Sequence, residues 1–235
     1  MVRTVMGLLV KSMLKDAYVL VWSILLPLGL FIGVGLYSGS PAYREQLLVG
    51  CLLMSILMGA INTAGFWIMT QRRSGVFKLL KLSLFPISRF ILCTMLARLL
   101  IFEVITLLLL AAGVVCFGMR ISLTGTVVLM AVTLISLICF HAIGYMIASR
   151  ASNEGAMNMA SSAVTFPLMF ASTSFYSLDG APQWIRFLSR LNPVEYAAVL
   201  GRGAVTGDVP IQELWMFIAF AVICSAGAVK TFRYE

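Results

Sequence analysis

The sequence predicts an all-α polytopic membrane protein with six transmembrane helices, and three observations carry that expectation. Hydrophobic residues make up 61% of the 235-residue chain and charged residues 11%, with a mean hydropathy of +1.01, whereas a soluble domain is about a quarter charged. The apolar residues gather into six runs, at about 17–37, 46–70, 90–118, 125–149, 156–176 and 212–229, each long enough to cross a hydrocarbon core about 30 Å thick. Lys and Arg collect mainly at one alternating set of run ends. Residues 1–235 read as a single transmembrane domain.

Residues 1–16 are expected to form an interfacial helix. Val2, Val5, Met6, Leu9 and Met13 share one face, with Arg3, Thr4 and Lys11 off it, the division of a helix lying along the inner membrane surface. The apolar run after Lys15 is too long for a signal-peptide core, and no Ala-x-Ala-like site follows it, so it reads as the first span. Gly29-x-x-x-Gly33 within it permits close helix approach, either between protomers or inside the chain. Ser38-Gly39-Ser40-Pro41 turns the chain into the second span, whose cytoplasmic half carries Asn62, Thr63, Phe66 and Trp67.

The segment QRRSGVFKLLKLSLFPISRF, Gln71 to Phe90, carries Arg72, Arg73, Lys78, Lys81 and Arg89 without one acidic residue. As a helix it places Val76, Leu79, Leu80, Ser83 and Leu84 on one side with Phe77 beside them, and Lys78 and Lys81 roughly opposite. Gly75 allows a sharp exit from the second span, and Pro86 ends the helix before the third. Two roles suit it: a positive anchor on anionic lipid, or a docking helix for a soluble partner.

Arg98, Glu103 and His141 sit inside the third and fourth spans, where ionisable groups are costly. At 1.5 Å rise per residue, Arg98 and His141 both lie roughly 12 Å from the inner boundary and Glu103 roughly 20 Å. A polar relay is one reading; hydrogen bonding within the bundle, with Arg98 reaching inward, is the other. The fifth span opens with small residues, Ala156, Ala160, Ser161, Ser162 and Ala163, before Thr165, Phe166 and Pro167. With the second span's polar and aromatic residues these would line an apolar cavity or pack as ordinary helix faces.

Ser177 to Pro210, more than thirty residues, is too long for a turn and too apolar for a solvated loop. Trp184, Phe187, Leu188 and Leu191 follow helical spacing with Arg186 and Arg190 on another face, and Asn192-Pro193 starts a second helix containing Glu195 and Tyr196. Arg202 and three glycines make that helix a poor complete span, so the segment reads as two short helices dipping into the outer leaflet.

Eleven basic residues (Arg3, Lys11, Lys15, the five of 72–89, Arg150, Lys230 and Arg233) face five on the other side (Arg44, Arg120, Arg186, Arg190 and Arg202), which places both termini in the cytoplasm. The net charge of +8 suits anionic lipid or a cytoplasmic partner, and no nucleic-acid-reading motif is present. All five cysteines fall in apolar runs without CxxC spacing and read as small hydrophobes. There is no GxxxxGK[ST] loop, no HExxH and no GxSxG, and only one histidine, so neither ATP binding of that kind nor hydrolytic catalysis is expected of this chain.

The order of motifs resembles the ABC type-2 permeases, membrane subunits of one class of ABC exporters. Arg72-Arg73-Ser74-Gly75, Phe85-Pro86-Ile87-Ser88 and Leu96-Ala97-Arg98-Leu99-Leu100 are similar to that family's second inter-span loop and third span. FPLMFASTSFYSLDGAPQWIRFLSRLNPVEYAAVLGRGAV, Phe166 to Val205, is similar to its fifth span, Pro-x-Trp helix and Asn-Pro-x-x-Tyr helix. The chain departs from the pattern where family members often carry acidic residues around Gly75, and at Glu195, a position commonly uncharged.

The resemblance implies a permease of the cytoplasmic membrane that pairs with a second copy or paralogue and with two separate ATP-binding subunits. ATP and Mg would be bound there, and this chain would hold no cofactor. Arg72, Arg73, Gly75, Val76, Phe77, Lys78, Leu79, Leu80 and Lys81 would form the coupling helix. Asn62, Thr63, Phe66, Trp67, Ser162, Thr165 and Phe166 would flank the substrate pathway. Trp184, Asn192, Pro193, Glu195 and Tyr196 would mark the re-entrant exit. Cargo would be hydrophobic or amphipathic: a drug, a peptide antibiotic or a lipid. The rival expectation is a self-contained secondary transporter or channel using Arg98, Glu103 and His141.

Overall fold

Sequence hydropathy leaves each apolar run helical, because a lipid-exposed backbone must satisfy its own hydrogen bonds. The computed structural model describes residues 2–15, 21–76, 79 and 87–231, and among them every regular element is helical. Helix α1 spans Val2–Lys15. A π-helical turn, Val21–Leu25, leads into α2, Leu26–Tyr37. The second span is α3 (Pro41–Leu57), a π-helical stretch (Met58–Thr63) and α4 (Ala64–Arg73). Then come α5 (Ile87–Phe117), α6 (Leu123–Arg150), α7 (Glu154–Phe170), α8 (Gln183–Arg190), α9 (Pro193–Thr206) and α10 (Ile211–Thr231).

Side-chain caps fix several starts. The Ser40, Ser122 and Asn153 side chains accept from the Tyr43, Gly125 and Ala156 amides at 3.4, 2.9 and 2.8 Å, satisfying groups a helix N-terminus leaves open. The loop after the first span is closed by Arg44. Its guanidinium donates to the Gly35 and Ser38 carbonyls and lies over the Phe117 ring.

The second span is the centre of the bundle. Nearly every residue from Leu47 to Ile61 is buried, because α2, α5, α6, α7 and α9 surround it. At the rim the burial pattern inverts: α10 packs along α6 yet leaves Trp215, Met216, Val222 and Ile223 exposed. Large apolar groups facing outward are stable only against lipid or another apolar surface.

Among the described residues four helices have the length and hydropathy to cross a membrane: Pro41–Gln71, Arg89–Phe117, Leu123–Arg150 and Ile211–Thr231. Of the other two expected spans, Ser23–Tyr37 is apolar but shorter. Residues 16–20, the expected start of the first span, lie outside the described residues. The fifth helix stops at Phe170, earlier than the expected 176. Two causes are visible: Pro167 inside α7 removes an amide, and Asn192 captures the carbonyls of Leu168 and Ala171, which a continuing helix would have used.

Met6, Leu9 and Met13 are half-buried while Lys11 and Lys15 are exposed, and α1 packs against α5. Gly29 and Gly33 have nothing within 4 Å of an added methyl, because the inward face of α2 is Pro27, Phe31 and Gly35. Of the two uses open to the GxxxG pair, packing within the chain is not the one realised among the described residues.

Candidate functional site

Among the described residues, polar side chains gather around the π-helical stretch, at the end that carries α8 and at the exit from the second span. A π-helical stretch adds a residue to the turn and leaves carbonyls off the regular ladder, and in hydrocarbon each needs a donor. Arg98 supplies them: its guanidinium donates to the Gly59 carbonyl at 3.2 Å and the Thr63 carbonyl at 3.4 Å. It is only 5% exposed, and with Met13, Ser23, Gly59, Thr63, Ile101 and Phe102 it encloses a niche of about 10 Å³, room for one water at most.

On the other side of the stretch, Gly144 of α6 lets the helices meet. A methyl there would sit 2.8 Å from the Ala60 and Ile61 carbonyls. One turn earlier His141, 1% exposed, shares its Nδ1 with the Leu137 carbonyl at 2.8 Å and stands edge-on to Tyr145. Arg98 from α5 and the His141–Gly144 turn of α6 thus flank the same π-helical stretch. Glu103 is not joined to either by a hydrogen bond or ion pair among the described residues.

The seven pathway residues do not share one face. Thr165 is 1% exposed and points inward, whereas Phe166 is 48% exposed and stacks on Phe170. Trp67 packs against Phe90 of α5, their centroids 5.5 Å apart, and Phe66 belongs to the same small cluster. Thr63 borders the Arg98 niche, Ser162 is half-buried, and the Asn62 amide oxygen is buried without a partner among the described residues.

At the other end Asn192 is the junction of three elements. Its side-chain oxygen accepts from the Val194 amide at 2.9 Å, capping α9, while its amide donates to the Leu168 and Ala171 carbonyls at 2.6 and 3.0 Å. Pro193 follows at the first helical position, where its missing amide costs nothing. Tyr196 donates to the Arg190 carbonyl at 2.7 Å. Glu195 takes the Thr173 amide at 2.6 Å and the Thr173 hydroxyl at 2.7 Å. Arg202 donates to the Thr173 carbonyl and Oγ1, and Gln46 of α3 to the same carbonyl. Burial lowers the Arg202 guanidinium from its ordinary value, opposed by the charge of Glu195. Trp184 stands apart, exposed with Phe187, Leu188 and Leu191 on the outward face of α8.

The third locus is the exit from the second span. Gly75 has a φ of +73°, the left-handed conformation that ends a helix without strain only for glycine. Ser74 closes the last turn onto Thr70, and the Leu79 amide donates to the Gly75 carbonyl at 3.1 Å, starting a new turn. Arg73 reaches across to α7 and pairs with Glu154 at 2.8 Å. Phe77, Lys78, Leu80 and Lys81, together with 82–86, lie outside the described residues, so about half of the expected coupling helix, 71–89, does too.

Gln46, Thr173, Gly144 and Glu154 were not singled out from sequence. The first three make their contacts across long chain separations and have no local signature. Glu154 had one: it stands in the first turn after a capping Asn153, where a carboxylate is favoured by the helix dipole. Among the described residues no group of three or more His, Cys, Asp or Glu side chains is placed to hold a metal ion.

No curated protein matches the chain. A family model described as ABC-2 type transporter matches residues 2–205, a range that takes in the N-terminal helix, the second-span exit and the Asn192 junction. The chain belongs to the ABC-2 type transporter family and is a multi-pass permease of an ABC-type transporter.

Proposed function

We propose that this permease exports hydrophobic or amphipathic cargo across the cytoplasmic membrane, driven by ATP bound with Mg in two separate subunits. It works with a second permease, a copy or a paralogue. This reading takes the chain to cross six times with both termini in the cytoplasm, α2 and α7 being the two short crossings. The observation that carries the reading is the Arg73–Glu154 pair. It joins the end of the second span to the start of the fifth beside Gly75, where the coupling helix begins. A push on residues 71–84 would reach both spans at once, and these are the spans between which cargo would move. Outward, the Asn192 junction ties the top of α7 to α9, so the same motion would reach the exit.

A second permease would find Gly29 and Gly33 open on the outer face of α2. The self-contained transporter gains less support. Arg98 spends its guanidinium on two backbone carbonyls, which suits a structural role better than a relay.

The test is uptake of a fluorescent amphipath into inverted vesicles carrying the permease with a co-expressed ATPase. Uptake that needs ATP and survives collapse of the proton gradient is expected. Flux without ATP that follows the proton gradient would replace this reading with the secondary-transporter one.

A further inference from the structure

At the end of the bundle that carries α8, an open pocket of about 500 Å³ lies between α8, α9 and α10. That is within the range of small-molecule sites, roughly 300–1,000 Å³. Its wall includes Arg186 and Arg190 from α8, Glu195 and Tyr196 from α9, and Glu213 and Met216 from α10. Thr173 forms part of the floor, held by Glu195, Arg202 and Gln46.

The charges divide into used and unused. Both Glu195 oxygens are committed to Thr173. Arg186, Arg190 and Glu213 have no side-chain hydrogen bond or ion pair among the described residues. Two free guanidiniums and one free carboxylate therefore border the same space. We infer that this pocket binds a zwitterionic phospholipid headgroup, its phosphate between Arg186 and Arg190 and its ammonium at Glu213.

Three arguments converge on that ligand class. Arg186 and Arg190 are one helical turn apart and project together, and guanidinium forks match phosphate oxygens in bidentate geometry. A plain anion would meet Glu213 as a repulsive neighbour, whereas a headgroup with both charges uses all three groups. The position fits the headgroup layer: Trp184 and Leu188, 64% and 46% exposed, fall by helical spacing on the side of α8 away from Arg186 and Arg190, and a helix so divided beds its apolar face at the acyl boundary. Met216, Val199 and Leu178 add apolar wall for the glycerol end. The outward orientation proposed above decides only which leaflet supplies the lipid.

The experiment is native mass spectrometry with thermal denaturation of the detergent-purified permease. Phosphatidylethanolamine, phosphatidylglycerol, water-soluble glycerophosphoethanolamine and inorganic phosphate are the probes. Phosphatidylethanolamine is expected to bind at least fivefold more tightly than phosphatidylglycerol and to raise the melting temperature. Glycerophosphoethanolamine should compete weakly. The double variant R186Q/R190Q should lose at least tenfold in phosphatidylethanolamine affinity. E213Q should abolish the preference while leaving phosphatidylglycerol binding intact. Neither variant should change the lipid-free melting temperature by more than a degree or two, since these side chains have no internal partner. Equal affinity for the two lipids, unaltered affinity in both variants, or inorganic phosphate binding as tightly as lipid would overturn the assignment. None of these measurements involves an ATPase or transport, so this inference and the export reading fail separately.

Discussion

Asn192 shows how much one polar side chain does where water is scarce. It closes α9 with its oxygen and holds the frayed end of α7 with its nitrogen. Replacing it by Ala strands two carbonyls and an amide, so N192A should cost about 2–4 kcal/mol, summing a lost cap and two buried hydrogen bonds. N192D keeps the cap acceptor but turns a carboxylate oxygen toward the Leu168 and Ala171 carbonyls. Thermal denaturation in detergent should find it no more stable than N192A. Arg98 makes the same kind of claim for the π-helical stretch. Lys offers one compact ammonium where two carbonyls at 3.2 and 3.4 Å call for a fork, so R98K should still lower the melting temperature by several degrees. Full stability and activity in R98K would mean that charge alone matters, as the relay reading requires.

The element scale belongs to the second span, whose regular helix is interrupted at Met58–Thr63. Phe102 fills the space beside Gly59, and Gly144 brings α6 onto the Ala60 and Ile61 carbonyls. A backbone pressed that closely cannot yield as a side chain would. G144A is expected to destabilise by about 1–3 kcal/mol, while G180A, where the methyl meets open space, should be near neutral in the same melting assay. The existence of the second span was legible from its apolar run. Its interruption was not, because no Pro marks it and its cause lies in α5 and α6. The fifth span makes the same point: its apolar run reads on to 176, yet the helix ends at Phe170, where Asn192, 21 residues from Ala171 along the chain, takes the carbonyls.

For the whole molecule the question is how the proposed motion would enter and where a second permease would dock. The Arg73–Glu154 pair is exposed, its side chains 53% and 63% accessible, so its stability contribution is about 0–1 kcal/mol. Its value would be mechanical. R73E and E154R should each weaken substrate-stimulated ATPase activity of the assembled transporter several-fold with little change in melting temperature, and R73E/E154R should recover part of it. Additive losses in the double variant would show that the pair transmits nothing. G33I, on the unused face of α2, should reduce cross-linked permease pairs in membranes while leaving the melting temperature of the single chain unchanged.

The sequence by itself determined the solvent, the class and the position of most helices. Hydropathy and the 1.5 Å rise are local properties, and each apolar run must be helical whatever surrounds it. It also marked Gly75, Asn192-Pro193 and the two-sided character of α8, whose capping and amphipathic signals span only a few residues. Only the tertiary structure decided which residues of those helices face one another. It separated Thr165 from Phe166, set Arg98 on the carbonyls of an interrupted helix, and knotted Gln46, Glu195 and Arg202 around Thr173. In an apolar chain both faces of a span are greasy, so periodicity does not tell lipid from neighbour. Packing alone settles which side is which.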